Sequence, residues 1–180
     1  MGNLNFKELL EFGKELQVLN YKKVYNANQL PDNQKKEIVF IGKSNVGKSS
    51  LINILLNYKI NKVSKNPGCT KWIGFLELPN INIIDLPGYG YSKVSQGRRE
   101  FWDSMLDGYI KKNRASIVFI LVDSRRNICE EDKTIMEMFK GLKTEIIYTK
   151  QDKKPENNGF FVSVKTGLGI LELRKKILYF

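Results

Sequence analysis

Glu37-Ile38-Val39-Phe40-Ile41-Gly42-Lys43-Ser44-Asn45-Val46-Gly47-Lys48-Ser49 is the stretch on which the fold turns. Its first five residues form an apolar run that reads as a buried strand. That strand enters directly into G-x-x-x-x-G-K-S/T, and residues 48–57 continue with helical spacing. Strand, glycine-bearing loop and helix together are the context that makes this short motif a phosphate-binding loop; the alternative is a chance glycine-rich turn before a helix. The glycines let successive backbone N–H groups aim at phosphate oxygens, and the helix beginning near Lys48 adds the positive end of its dipole. Lys48 is expected to reach the β- and γ-phosphates, and the Ser49 hydroxyl to ligate Mg2+. Gly42, Lys43, Ser44, Asn45, Val46, Gly47 and Ser50 complete the expected cradle.

Working outward, the pattern alternates. Strands are expected at 73–78, 81–86, 117–122, 145–148 and 160–162, and helices at about 98–112, 130–142 and 168–178. Upstream, Leu4, Phe6, Leu9, Leu10, Phe12, Leu16 and Leu19 have helical spacing, so residues 1–20 read as a helical extension. Residues 20–36, polar and holding Pro31-Asp32-Asn33, read as a connector, and 21–180 as the main domain. Continuous apolar strands separated by helices predict an α/β domain with a mostly parallel sheet covered on both faces, its ligand at the carboxyl ends of the strands.

Two more motifs fall at such strand ends. Asp85-Leu86-Pro87-Gly88 has the D-x-x-G form, in which the carboxylate holds Mg2+ and the glycine amide senses the γ-phosphate. Thr149-Lys150-Gln151-Asp152 resembles N/T-K-x-D. One carboxylate can accept both N1–H and N2–H of guanine, and adenine would leave it unpaired, so Asp152 is the expected reader of the base. The stem of Lys150 can lie across the base, and Thr149 can bond nearby backbone. Val162-Ser163-Val164-Lys165, after the next strand, resembles the S-A-K element whose amides meet guanine O6. Between the first two motifs, Gly68-Cys69-Thr70 lies in a polar loop, and Thr70 is the expected further Mg2+ ligand, against the reading of an ordinary loop threonine.

Composition narrows the chemistry. There is no histidine and there are two cysteines, Cys69 and Cys129, so the Ser-His-Asp type of catalysis and the usual zinc sets are excluded. Reduced thiols are the simpler reading, although a disulfide is open in principle. No apolar run reaches the ~18 residues needed to span a bilayer, so no membrane contact and a cytoplasmic location are expected. Thirty Lys plus Arg against 19 Asp plus Glu leave a net charge of +11, which favours a polyanionic partner over a merely solvated lysine-rich surface.

The stretches GKSNVGKSSLIN, KVSKNPGCTK, IIDLPGYGYSKVS, LVDSRRNICEED and YTKQDK resemble the EngB/YihA/YsxC family of bacterial ribosome-biogenesis GTPases, over about residues 20–180. The resemblance implies a three-layer P-loop NTPase fold of the Ras-like G-domain type with a six-stranded sheet. It implies GTP and GDP as ligands, Mg2+ on Ser49, Thr70 and Asp85, a monomer, and nucleotide-dependent contact with ribosomal RNA and large-subunit particles. Only seven residues separate Asp152 from Phe160, where the family has a longer helix, so a shortened crossover before the last strand is expected. Cys69 and Lys71 also depart from the family around Thr70.

Catalysis is expected to rest on Lys48, Asn45 and Thr70. Tyr89 stands where many GTPases place a water-orienting glutamine, so slow intrinsic hydrolysis is expected, completed by the ribosomal partner or by a monovalent cation. Asn45 has two readings, a position favouring potassium near the β–γ bridge and a loop-stabilising side chain. Lys59, Lys62, Lys65, Lys71, Arg125 and Arg126 form an expected basic surface near the switches. Two rival functions stand beside this one: a non-catalytic, nucleotide-gated RNA-binding module, and an ATP-using kinase or ATPase, against which Asp152 argues.

Overall fold

A computed structural model describes residues 13–32, 34–60, 72–90, 96–153 and 159–180, without the side chains of residues 96 and 98. The phosphate loop follows β2 (Lys36–Gly42), the strand at the centre of a seven-stranded sheet of order β1-β3-β4-β2-β5-β6-β7. β2 pairs in parallel with β4 (Ile81–Asp85) on one side and β5 (Ala115–Asp123) on the other. β6 (Thr144–Thr149) and β7 (Phe160–Phe161) extend that parallel half. β3 (Ile73–Glu77) runs antiparallel to β4, and β1 (Asn20–Val24) antiparallel to β3.

Strand alternation produces the three layers. Ile38 and Phe40 of β2 join Phe119 and face α1 (Lys48–Leu56) and α4 (Ile170–Leu178), where Leu51, Leu55, Leu173 and Ile177 are buried. Val39 and Ile41 face the other way, with Val118 and Ile120. They pack under α2 (Gln96–Lys111) and α3 (Glu130–Met138), through Leu106, Tyr109, Ile135 and Phe139. With both faces covered, the central strands are apolar at consecutive positions, which is why they read as continuous runs. Truncating one of these fully buried Leu or Ile side chains to Ala costs about 2–5 kcal/mol.

The fold class is as expected, and three details differ. Among the described residues the sheet has seven strands, because part of the expected connector pairs as β1: Leu19 N–H donates to Glu77 O at 2.8 Å and the register continues to Val24 opposite Ile73. Of β1 only Val24 is buried, so this edge strand has no apolar alternation to announce it. Second, helix expected to residue 19 is present over 13–15 among the described residues, and Leu16 beyond it is buried in the core. Third, α3 stops at Met138, and Gly141 turns the chain at a φ of 92°. The crossover from β6 to β7 is short: after Thr149 comes a 3-10 turn, Gln151–Lys153, and β7 begins at Phe160. Gly169, at the head of α4, has a φ of 70°, and a Cβ there would lie 2.0 Å from Phe161 O, so only glycine brings α4 against this thin edge.

Candidate nucleotide-binding site

Close packing shapes the loop after β2. A Cβ on Gly42 would stand 2.9 Å from Leu121 O and from Val46 Cγ1, so glycine alone lets the loop leave the sheet here. Gly47 has a φ of 102° and caps α1. Asn45 is exposed with a φ of 64°, a region that asparagine tolerates better than most residues, as the loop-stabilising reading requires. The opening turn of α1, Lys48-Ser49-Ser50, presents its N–H groups toward the loop side.

β4 delivers Asp85 beside this loop, and its carboxylate pairs with Lys48 Nζ. Both side chains are under a tenth exposed, at 9% and 8%. Deleting either partner leaves the other charge buried and unpaired. The D-x-x-G segment is tied down as it leaves the sheet. Leu86 N–H donates to Phe40 O at 3.0 Å, Tyr89 N–H to Gly42 O at 3.3 Å, and Ser44 N–H to Tyr89 O at 3.0 Å. Trp102 Nε1 donates to Pro87 O at 3.0 Å. A Cβ on Gly88 would lie 3.0 Å from Gly42 O and 3.4 Å from Ser44 N, which shows how closely the two loops meet.

The Tyr89 side chain turns into the core. Its hydroxyl donates to Asp132 Oδ1 at 2.5 Å, and Asp132 also accepts from the Arg126 guanidinium (2.5 and 2.9 Å) and from Cys129 N–H (2.8 Å). Burial pushes the Asp132 carboxyl up, but Arg126, the Cys129 amide and Tyr89 together hold it well below the usual carboxylate range. Burial, and then the bond to Asp132, push the Tyr89 phenol far above its ordinary value, so it stays protonated. Sequence reading saw the aromatic in the glutamine position but not its partner; Asp132, third residue of α3, looks like an ordinary acidic residue of a first helical turn.

At the far end of the loop, β6 brings in the base motif. Thr149 Oγ1 donates to Val46 O at 2.7 Å, and Lys150 Nζ to Asn45 O at 2.7 Å. Lys150, with a φ of 61°, also pairs with Asp123 Oδ2 at 2.9 Å, and the Arg125 fork closes on the same carboxylate. Arg125, followed by Lys150, holds the Asp123 carboxyl far below its ordinary value against the opposing effect of burial. Asp152 is exposed and accepts from Ser163 Oγ at 2.7 Å, a bond that lowers its carboxyl below the usual range. Ser163 is buried after β7, with Val162 buried before it and Val164 and Lys165 exposed after it. Gly42 to Ser50, Asp85 to Gly88, Thr149, Lys150, Asp152 and Val162 to Lys165 therefore lie along the carboxyl ends of the strands.

Gly68, Cys69, Thr70 and the lysines at 62, 65 and 71 lie outside the described residues. Arg125 and Arg126, expected on a basic surface near the switches, pair with Asp123 and Asp132. Among the described residues no cluster of three or more His, Cys, Asp or Glu side chains could hold a metal. The donors present, one carboxylate on Asp85 and one hydroxyl on Ser49, are hard oxygens suited to Mg2+, which is bound through one or two protein groups together with phosphate oxygens.

The model of the 50S ribosome-binding GTPase family matches residues 37–150, the stretch that holds all three motifs up to Lys150. The chain is 39% identical over 159 residues to the "Probable GTP-binding protein EngB" of Rickettsia prowazekii, covering 86% of this chain and 74% of that one. The chain belongs to the EngB family of GTPases. An EngB protein of Thermosipho africanus is 41% identical over 138 residues, which cover 73% of this chain and 71% of its own. A crystal structure of an EngB protein superposes with a TM-score of 0.61 at 25% identity, covering 79% of this chain and 97% of that one. This chain is accordingly an EngB-type GTP-binding protein with a P-loop GTPase fold, and GTP and GDP are its ligands. No helix among the described residues is long and apolar enough to cross a membrane.

Proposed function

We propose that this EngB-type GTPase is a Mg2+-dependent, slowly hydrolysing switch that binds ribosomal RNA and large-subunit particles in its GTP form and acts in their assembly in the cytoplasm. The observation that carries the reading is the convergence of three loops: Thr149 and Lys150 bonded to Val46 O and Asn45 O, and Lys48 paired with Asp85. A nucleotide laid along this edge has its phosphates at the α1 opening and its base at Asp152. The net charge of +11 supports a polyanionic partner, and the family description supports the ribosome as its source.

In this mechanism the backbone amides of Gly42–Ser49 and the Lys48 ammonium neutralise the phosphates. Ser49 and Asp85 would hold Mg2+, with Thr70 as the proposed further ligand; the ion would supply positive charge against the triphosphate. Asp152, steadied by Ser163, accepts the two guanine N–H groups. Tyr89 faces Asp132 and offers no group to orient water, so hydrolysis awaits a contribution from the ribosomal partner or from a monovalent cation. Sedimentation of the protein with large-subunit particles tests the reading. Co-sedimentation is expected with a non-hydrolysable GTP analogue and not with GDP; equal amounts in both states would refute it.

A further inference from the structure

Away from the nucleotide site, the turn after β1 and the first half of α2 form a cleft of about 320 Å³, lined by Tyr25, Asn26, Asn28, Phe101, Ser104 and Lys111 among others. Its composition is uneven for a surface. Tyr25 is 52% exposed and Phe101 44%, two aromatic rings from different elements bordering one polar hollow. Tyr25 meets Trp72 edge-on, with ring centroids 6.3 Å apart, and Lys23 Nζ stands 4.3 Å from the Trp72 ring centroid. The aromatic surface therefore continues from the cleft onto the sheet edge with an ammonium above it.

The cleft is built to stay open. Tyr25 N–H donates to Gln29 Oε1 at 3.1 Å, and Asn28 N–H to Asn26 Oδ1 at 2.9 Å, which fixes the turn around Ala27. α2 packs closely on that turn: a Cβ on Gly108 would be in van der Waals contact with Ala27 Cβ, at 3.4 Å. Lys111 is held at the rim by Asp107, at 2.6 Å.

We propose that this cleft binds an unstacked nucleobase of single-stranded RNA, with Tyr25 and Phe101 as stacking surfaces and Lys23 and Lys111 beside the flanking phosphates. The inference rests on the RNA-binding reading above and gives it a place. Aromatic faces stack any base, amide and hydroxyl groups such as those of Asn26, Asn28 and Ser104 match base edges, and lysines match phosphate. Its volume is at the small end for a ligand pocket, suited to one splayed nucleotide and not to a duplex, whose bases are not presented for stacking. Exposed aromatics also mark protein interfaces, but Asp107 balances Lys111 while Lys23 beside Trp72 and the net charge of +11 favour a polyanion.

Fluorescence anisotropy with a labelled single-stranded RNA of about ten nucleotides, at ~100 mM salt, tests the site on the full chain. The Tyr25→Ala/Phe101→Ala variant is expected to bind about tenfold more weakly or worse, the loss that about 1.4 kcal/mol of stacking produces. GTP affinity and the melting curve should not move, and Tyr25→Phe/Phe101→Tyr should restore RNA binding. RNA affinity within twofold of the unaltered protein, or no RNA binding by the unaltered protein, overturns the proposal. So does a double variant that loses large-subunit particles while still binding the oligonucleotide, since the cleft then meets a ribosomal protein. If the oligonucleotide result holds while particles bind equally with GTP analogue and GDP, the cleft stands and the switch reading falls.

Discussion

The two ends of the nucleotide site are built differently. At the phosphate end, Lys48 and Asp85 are almost fully buried and the Pro87–Tyr89 segment is fastened to Gly42, Ser44, Trp102 and Asp132. At the base end, Asp152 lies in solvent, held by one hydroxyl, and the strand that carries that hydroxyl's loop is two residues long. Every NTP carries the same triphosphate, so that end can be rigid and dry. Discrimination needs only a correctly aimed carboxylate, because an unpaired guanine or Asp152 supplies the penalty for a wrong match.

The sharpest way to break this comparison is Lys48→Ala. Loss of about 1,000-fold in affinity for GTP and GDP alike is expected in titrations with a fluorescent nucleotide, since a buried charge partner is removed. A loss confined to one nucleotide would deny the phosphate end its role. Asp152→Asn should lower the preference for GTP over ATP about 100-fold in competition assays, while total triphosphate binding falls much less. An intact preference would remove the base end altogether.

Smaller effects test the fastening. Asp132→Ala leaves Arg126 and the Tyr89 hydroxyl without their acceptor and should cost about 3 kcal/mol in urea unfolding. Tyr89→Phe removes one bond to that carboxylate and should cost about 1 kcal/mol, with guanine preference unchanged. The smallest signal is in pH. The Asp132 carboxyl is lower in the folded protein than in the unfolded chain, so its contribution is complete above the ordinary carboxylate value and is lost as pH falls toward the lowered one. The stability gap between the unaltered protein and Asp132→Asn should be constant from about pH 8 to 5 and shrink below about pH 4.

The phosphate end was legible because backbone geometry dictates residue type there: Gly42 and Gly47 each occupy a place where a side chain would collide or strain. The parallel half of the sheet was legible because strands covered on both faces are apolar throughout. What escaped reading depends on partners distant in sequence. Glu37 looks like the polar start of a strand, yet it is buried, accepts from the Tyr109 hydroxyl (2.8 Å) and is ion-paired with Arg114 (2.6 Å). Arg125 and Arg126 look like free surface charge until Asp123 and Asp132 are placed beside them. The inward turn of Tyr89 was hidden for the same reason, since only α3 supplies its acceptor.

β1 carries a practical consequence for anyone trimming the chain. The family match begins at Glu37, but β3 draws its outer partner, and the core takes Val24, Ala27 and Leu30, from residues before that point. A fragment starting at Glu37 would keep every nucleotide motif yet bare a flat edge carrying Ile73, Phe75 and Leu76, where another copy's strand can add. It should self-associate as its concentration rises, so the smallest well-behaved unit of this GTPase is longer than the segment that identifies it.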